Sequence, residues 1–365
     1  MLRVKPTFSA YVSRQFLLWS GGIFLTLVAL IALFDMMELL RRTASEEAVT
    51  LIQVVAMTLF KLPHLAMKAA PFAMLFGGMM AFWRLNRHHE LVVARASGMS
   101  AWELLTPAIA LAVVIGIVKV TLFSPLASAM LLRFERMETV LIEGKPNLAS
   151  LSGSGLWLRQ STQDGHYILH ARAIRTEEMA LNDVIVFNFE GSDRFIGRID
   201  AATAVLGAGT WRLHDARLST AGGGFETLPS LHIATDLTRE NIQDSFAKPE
   251  TLSFWALPGF IEVLENAGFS GLRHRLYWYS QLADPLLLCA MVMLAAVFTL
   301  RPVRRGGAVA VLGLGVGTGF LVYFASDVVY ALGLSARVPL VLSAWSPAVV
   351  GCLIGAALLF HLEDG

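Results

Sequence analysis

The sequence predicts a membrane α-helical protein with six transmembrane helices and one all-β domain inserted between the third and the fourth helix. Of the 365 residues, 55% are hydrophobic and only 16% are charged, whereas a soluble globular domain carries about 25% charged residues. The apolar residues form long uncharged runs near both ends of the chain. Between residues 140 and 265 no run is long enough to span a membrane, and stretches of alternating polarity appear instead.

These features divide the chain into three regions. Residues 1–135 hold transmembrane helices 1–3 and a loop helix over residues 84–100. Residues 136–268 form the β domain, and residues 269–365 hold transmembrane helices 4–6.

The first span is predicted over residues 16–34, a run of 19 residues without a charge. About 20 apolar residues cross the hydrocarbon core of a bilayer, so this run is long enough. A cleaved signal peptide is the alternative, because Arg3, Lys5 and Arg14 precede the run. The run exceeds the roughly 7–15 apolar residues of a signal peptide, and no Ala-x-Ala cleavage pattern follows it. We therefore predict a retained helix.

The second and third spans are less regular. Residues 48–83 are too long for one straight span, so we predict an interfacial helix that breaks near Pro63 or Pro71 and leads into a span over residues 69–83. Residues 104–118 form most of the third span, which continues past Lys119.

The last three spans are predicted from uncharged runs near the end of the chain. They cover residues 276–300, with one charge at Asp284, and the charge-free residues 306–326 and 338–360.

The β domain is predicted from short apolar stretches with period-two alternation, which is typical of strands in an antiparallel sandwich or roll. The stretches cover residues 156–158, 166–170, 184–189 and 211–213. Glycine-containing turn signals separate them at residues 164–165, 190–191, 207–209 and 222–224.

The charges are segregated between the membrane part and the central part. Residues 134–272 hold 18 acidic and 11 basic residues, a net charge of −7, and the rest of the chain has a net charge of +8. Short loops with an excess of arginine and lysine face the cytoplasm, and such loops precede span 1 and follow spans 2 and 4. We therefore predict that both termini are cytoplasmic and that the β domain lies outside the cytoplasm.

Several functions are excluded by missing motifs. No G-x-x-x-x-G-K-[ST] sequence occurs, so the chain has no P-loop ATPase of its own. Glycines 313, 315, 317 and 319 lie in an uncharged span, where they indicate close helix packing rather than a phosphate loop. No catalytic triad, metal motif or C-x-x-C pair is present, and the near-neutral net charge of +1 excludes a nucleic-acid binder.

Residues 84–103 form a charged loop after span 2 with a helical centre from Glu90 to Ala96 and a stop at Ser97 and Gly98. Leu91 and Val92 are predicted to share an apolar face. Such a segment is either a connector that lies on the membrane or a helix that docks into a cytoplasmic partner.

Basic residues near the outer ends of the spans are candidates for binding an anionic amphiphile such as a phosphorylated lipid. Ordinary snorkelling to lipid headgroups is the alternative. The residues are Arg41, Arg42, Lys61, Lys68, Lys119, Arg133 and Arg136. Asp284 and Asp327 are single acids in spans 4 and 5, and each either pairs with a basic residue inside the bundle or takes part in a proton relay.

Residues 90–99 (ELVVARASGM) carry a specific pattern, E-[LI]-x-V-x-x-[AS]-x-G. With the order of spans and β domain, the chain resembles the LptF/LptG permease family of the lipopolysaccharide export ABC transporter over essentially its whole length. Three stretches are more similar to the G than to the F paralogue. They are residues 155–157, residues 277–278, and residues 319–323 with Asp327.

The resemblance implies a β-jellyroll in the periplasm and an inner-membrane permease without catalytic residues, metal or cofactor. It implies an F-type partner, LptF, a homodimeric cytoplasmic ATPase, LptB, that uses ATP and Mg, and the partners LptC and the periplasmic jellyroll protein LptA. The transported molecule would be lipopolysaccharide. The implied ATPase-coupling residues are Glu90, Leu91, Val92, Arg95, Ala96, Ser97 and Gly98.

The resemblance also implies lipid-binding residues. Arg41 and Arg42 match the family's phosphate-binding position, although Asp35 stands where the family often has a lysine. The other implied residues are Lys119, Arg133, Arg136, Phe34, Trp157 and Phe320. An apolar trough inside the β domain is expected from Trp157, Ile168, Val186 and Phe189, unless these residues are simply its core.

Three alternatives remain open. The F-type paralogue is the alternative within the family. An ion-coupled secondary transporter would use Asp284, Asp327 and Lys119 as relay residues, and a sensor or scaffold would use the β domain only to bind a partner.

Overall fold

The computed structural model describes most of the chain. The described residues are 6–44, 49–143, 149–152, 155–162, 165–175, 180–190, 194–207, 209–220, 224–235, 247–266, 269–300 and 308–363. They form two units, an all-helical unit of residues 1–135, 253–255 and 275–365 and a mainly β unit of residues 136–252 and 256–274.

Six helical stretches of the described residues are long and apolar enough to cross a membrane, which confirms the predicted membrane fold. The first two are α1 (Pro6–Thr43) and α2 (Leu51–Arg87). The third joins α4 (Ala101–Val118) and α5 (Ser124–Glu138). The others are α7 (Leu272–Thr299), α8 (Ala308–Leu334) and α9 (Leu340–Glu363).

The predicted break in the second span is wrong, because α2 is one continuous helix through Pro63 and Pro71. Each proline removes a single bond to the carbonyl four residues earlier. A spanning helix tolerates this loss where neighbouring helices and small local adjustments satisfy the freed group. Neighbours are available here, since most of the apolar part of α2 is buried inside the bundle.

The third span contains two π-helical turns. One turn, Lys119–Phe123, joins α4 to α5, and the other, Thr139–Glu143, follows α5. The helix begins with a capping box, in which Glu103 N–H donates to Ser100 Oγ at 3.1 Å and Ser100 N–H donates to Glu103 Oε2 at 3.2 Å.

The core of the helical unit is built around α7, whose residues 288–297 are buried against α1, α2 and α4. Small residues set the close approaches between these helices. A Cβ on Gly116 of α4 would lie 2.5 Å from Pro285 Cα of α7, and a Cβ on Gly77 of α2 would lie 2.3 Å from Ser20 Cα of α1. No larger side chain fits these two positions without movement of a backbone.

The β unit contains one antiparallel sheet with the strand order β1-β2-β3-β4-β5-β6-β7. Each described strand thus pairs with its neighbours in sequence, as in a meander. The strands are β1 (Ala149–Ser152), β2 (Gly155–Thr162), β3 (Gly165–Arg175), β4 (Ala180–Glu190), β5 (Arg194–Leu206), β6 (Thr210–Thr220) and β7 (Phe225–Ala234).

One face of the sheet carries the core of the β unit. Leu158 of β2 pairs with Leu169 of β3, which pairs with Val186 of β4, and all three are buried. Leu264 of α6 (Leu257–Asn266) and Phe269 join this core. The alternation of strand residues therefore separates a buried face from an exposed face, as period-two patterning requires.

Candidate functional site

The short helix α3 (Glu90–Ala96) has the bounds that the sequence predicts. It starts after His89, whose φ is +59°, and it ends at Ser97, followed by Gly98 with φ +85°. A left-handed residue at each end lets the chain reverse sharply on both sides of about two helical turns. The chain thus presents α3 as a separate short element between α2 and α4.

The apolar residues of α3 point in two directions. Leu91 is only 4% exposed and, with Ala94, belongs to the core of the helical unit, whereas Val92 is 55% and Val93 68% exposed. The expectation that Leu91 and Val92 share one docking face is therefore wrong. Consecutive helical residues are about 100° apart, so Leu91 anchors the helix while Val92 and Val93 form an outward edge.

The polar residues of α3 surround this edge. Tyr11 Oη of α1 donates to Glu90 Oε1 at 3.1 Å, which links the start of α3 to the first span. Arg95, Ala96, Ser97 and Gly98 are exposed. Arg95 also borders a cleft of about 150 Å³. The cleft is lined by Asn86, Leu91, Val92, Arg95, Ala101, Leu104 and Leu300.

Arg41 and Arg42 lie in the last turn of α1 and are exposed. Both interact with Glu38, Arg41 Nη2 at 3.0 Å and Arg42 Nε at 3.3 Å. Glu38 precedes the two arginines by three and four residues, which is the spacing at which side chains on one helix face form such pairs. Exposed pairs of this kind contribute little to stability, because water screens the charges.

Two of the basic candidates, Lys61 and Lys119, are paired with aspartates in the structure. Lys119 Nζ lies 2.7 Å from Asp284 Oδ2, with side-chain exposures of only 10% and 18%. Lys61 Nζ lies 2.6 Å from Asp35 Oδ1. The first pair joins the third span to the fourth, and the second pair joins the first span to the second. Desolvated charges in such positions need a partner, which explains why these acids and lysines occur together.

The remaining basic candidates are more exposed. Arg133 lies 5.9 Å from the ring centre of Phe60, and its side chain is exposed, as are those of Lys68 and Arg136. Arg136 belongs to the β unit, whereas Arg133 belongs to the helical unit.

Two apolar candidates lie on sparsely covered helices. Phe34 of α1 and Phe320 of α8 are mostly exposed, and Phe320 also stacks near Phe72 of α2, with ring centres 5.0 Å apart. An apolar cleft of about 270 Å³ lies beside α1, between α1, α2 and the third span. Its lining includes Leu17, Phe24, Met67, Met74, Ile115 and Lys119.

The expected trough in the β domain is partly wrong. Trp157 lies between the buried Leu156 and Leu158 and therefore points to the exposed face, where its ring centre is 4.2 Å from that of His170. Ile168, opposite Arg159, shares that exposed face, while Val186 lies on the buried face. The sequence run Leu156-Trp157-Leu158 alternates in side-chain direction, but nothing in it says which residues turn inward.

No group of three or more His, Cys, Asp or Glu side chains suited to a metal ion occurs among the described residues. The two cysteines, Cys289 and Cys352, lie in α7 and α9 and are free thiols.

Comparison with known proteins gives a match to the family described as "Lipopolysaccharide export system permease LptF/LptG" over residues 10–361. The chain belongs to the LptF/LptG family. It is 22% identical over 312 residues to the lipopolysaccharide export system permease protein LptG of Escherichia coli K12, and equally so to that of Escherichia coli O6:H1. Each alignment covers 84% of this chain and 82% of the relative.

Family membership places the chain among transport components rather than catalytic enzymes. With six membrane-spanning helices, it is a multi-pass inner-membrane permease of lipopolysaccharide export. The inserted β domain between the third and fourth spans completes the expected architecture.

Proposed function

We propose that this chain is the G-type permease subunit of the lipopolysaccharide export ABC transporter, and that α3 couples it to a cytoplasmic ATPase. The observation that carries the proposal is that α3 has both buried and exposed apolar residues. Leu91 and Ala94 are buried in the bundle core, while Val92 and Val93 are exposed and Arg95 lies beside them. An exposed apolar edge with charged neighbours fits a groove in a partner protein.

Because α3 has both a buried side and an exposed side, it can transmit motion from a bound partner to the bundle core. A partner that moves Val92 and Val93 also moves Leu91, which packs in a common core with Leu85 of α2 and Leu104 of α4. A close-packed core transmits displacement rather than absorbing it. In the proposed mechanism, ATP binding and hydrolysis in the partner shift α3 and so reorient the spans.

The lipid would meet this chain on α1 and α8. Lipopolysaccharide combines anionic phosphates with several acyl chains. Helix α1 offers both kinds of contact, because it carries exposed arginines at its end and an outward-facing Phe34. Guanidinium groups bind phosphate in a bidentate manner. We assign Arg41 and Arg42 to phosphate contacts and Phe34 and Phe320 to acyl-chain contacts, with Arg133, Arg136 and Trp157 as further contacts.

The structure supports a different role for Lys119 than phosphate binding. Its ammonium group is held by Asp284, so in the proposed mechanism it joins two spans, and the same pairing accounts for both residues without a proton relay. The ion-coupled transporter is therefore the weaker alternative.

The proposed assembly contains an LptF partner, a homodimeric LptB ATPase that binds ATP and Mg, and the bridge proteins LptC and LptA. This chain would bring no cofactor of its own. The positions of arginine in the short loops support cytoplasmic termini and a periplasmic β domain. The likeness to two LptG proteins over 84% of the chain supports the G-type assignment.

Affinity purification of the tagged chain in mild detergent tests the proposal. We expect a cytoplasmic ATPase and a second six-span permease to co-purify, with the second permease of the F type. Val93→Glu should release the ATPase and keep the permease partner, because residue 93 is exposed and outside the core. Phe225→Glu, at an exposed position of β7, is the matched control and should retain both.

Three outcomes would contradict the proposal. Absence of any ATPase would contradict coupling, and a G-type partner in place of an F-type one would mean that this chain is the F paralogue. Retention of the ATPase by Val93→Glu together with its loss in Phe225→Glu would place the coupling surface elsewhere.

A further inference from the structure

The contact between α2 and α8 follows a regular antiparallel ladder. Gly315 of α8 lies against Met79 of α2, and Gly319 lies against Leu75, where an added Cβ would come within 2.0 Å of Leu75 Cδ2. One turn further along, Tyr323 meets Phe72, with ring centres 4.8 Å apart. The contacts advance by three or four residues on each helix, so they mark one face of α2 and one face of α8.

The next step of this ladder brings two charged residues to the same level. Lys68 precedes Phe72 by four residues on α2, and Asp327 follows Tyr323 by four residues on α8. Nineteen residues separate Lys68 from Arg87 at the α3 end of α2, and nineteen separate Asp327 from Ala308 at the start of α8. At 1.5 Å per residue, each lies about 28 Å along its helix.

Neither charge has a partner among the residues that the structure describes. Lys68 and Asp327 are both exposed, and no ion pair or hydrogen bond joins either side chain to another group within the part of the chain that the structure describes. The two other lysines at comparable levels, Lys61 and Lys119, each have an aspartate within 2.7 Å. A charge near the hydrocarbon of a bilayer is costly without a partner, and Lys68 and Asp327 carry opposite charges at the same step of the α2–α8 ladder.

Helix α8, which carries Asp327, is much less buried within the chain than α2. Only 11% of the apolar part of α8 is buried inside the helical unit, against 72% for α2. At the seam, glycines of α8 meet the Met79 and Leu75 side chains of the bundle core, so the α2–α8 contact is close-packed there, and a movement of α8 would be confined to the other end of the helix, where Asp327 lies.

We propose that Lys68 and Asp327 form a latch. In the closed state their ion pair holds the end of α8 that is distant from α3 against α2, and in the open state, which the structure shows, the pair is separated. The partner of Asp327 in the closed state is thus Lys68 of the same chain. A basic residue of another subunit would be the competing partner, and the experiment separates the two.

Cysteine cross-linking tests the latch. The variant Lys68→Cys/Asp327→Cys is made in a chain with Cys289→Ser and Cys352→Ser, and membranes that contain the whole assembly are treated with a short bis-thiol reagent. We expect an intramolecular cross-link, seen by mass spectrometry of the digested chain. The control Lys68→Cys/Ala325→Cys should give only background cross-linking, because Ala325 lies two residues, about 200°, around α8.

A charge exchange provides the second readout. Lys68→Asp and Asp327→Lys should each reduce growth that depends on this chain, and the double variant Lys68→Asp/Asp327→Lys should recover it. Equal cross-linking by the control, cross-links only between different chains, or an additive defect in the double variant would each overturn the latch. The cross-link reports helix positions alone, so it remains informative even if the proposed transport function is wrong.

Discussion

Two of the six spans are central within the chain, and two others are the least covered by it. The apolar parts of α2 and α7 are 72% and 67% buried within the chain, whereas those of α1 and α8 are each 11% buried. Helix α7 meets α2 and the third span through glycine contacts and one desolvated ion pair, while α1 and α8 expose leucine and phenylalanine. This difference shows that the chain buries α2 and α7 in its interior and leaves α1 and α8 mostly uncovered, and in the proposed function these uncovered helices meet the lipid and other subunits.

The largest expected effect concerns the ion pair of the central set. Lys119→Ala leaves Asp284 desolvated and unpaired, which we expect to lower the free energy of unfolding by about 3–5 kcal/mol. Thermal unfolding of the detergent-purified chain measures this loss. Replacing both partners, as Lys119→Met/Asp284→Leu, should restore much of the stability because no charge remains buried. A double variant less stable than Lys119→Ala would show that the pair is not a structural unit.

The two faces of the sheet offer a comparable contrast in the β unit. Leu158→Ala removes a buried side chain, and we expect a loss of about 2–5 kcal/mol. Trp157→Ala, at the neighbouring residue on the exposed face, should cost far less despite the larger side chain. Protease resistance of the β unit in the intact chain reports both variants, and equal sensitivity would contradict the assignment of faces.

Glycine substitutions compare the two sets of helices directly. Gly116→Leu forces a side chain into Pro285, and we expect a loss of about 1–3 kcal/mol from overpacking. Gly21→Leu in α1 meets no atom of this chain within 4 Å and should leave the stability of the isolated chain unchanged. If both variants unfold at the same temperature, the distinction between centre and periphery is wrong.

The smallest effect on stability is expected at the peripheral arginines. Arg41→Ala loses an exposed pair with Glu38, which contributes little to stability because solvent screens it. Its effect should appear instead in binding of lipopolysaccharide to the purified assembly, which Arg41→Lys should retain in part. Normal binding by Arg41→Ala/Arg42→Ala would remove these residues from the proposed lipid site.

Much of the architecture could be predicted from local sequence. The uncharged runs gave the six spans, and the stop at Ser97 and Gly98 placed the end of α3, because both signals act over a few residues. The continuity of α2 could not be predicted, since tolerance of Pro63 depends on neighbouring helices. The partner of Lys119 could not be predicted from local sequence either, because Asp284 is 165 residues away in the chain.

The second feature that local sequence could not predict is the direction in which side chains point. Period-two alternation predicts that Trp157 and Leu158 face opposite ways, but it does not say which face is buried. On α3, the sequence placed Leu91 and Val92 together because a helix of seven residues is too short for its apolar periodicity to be resolved. Packing against α2 and α4 decided that Leu91 turns inward and Val93 outward.

The most direct test of the central claim, that the peripheral helices carry lipopolysaccharide, is photo-cross-linking in living cells. A photoreactive residue is placed at Phe34 of α1, at Phe320 of α8, or at the equally exposed Leu353 of α9 as a control. We predict that lipopolysaccharide cross-links to positions 34 and 320 and that cross-linking falls when Val93→Glu uncouples the ATPase, with little cross-linking at 353. Equal cross-linking at all three positions, unchanged by Val93→Glu, would contradict the account.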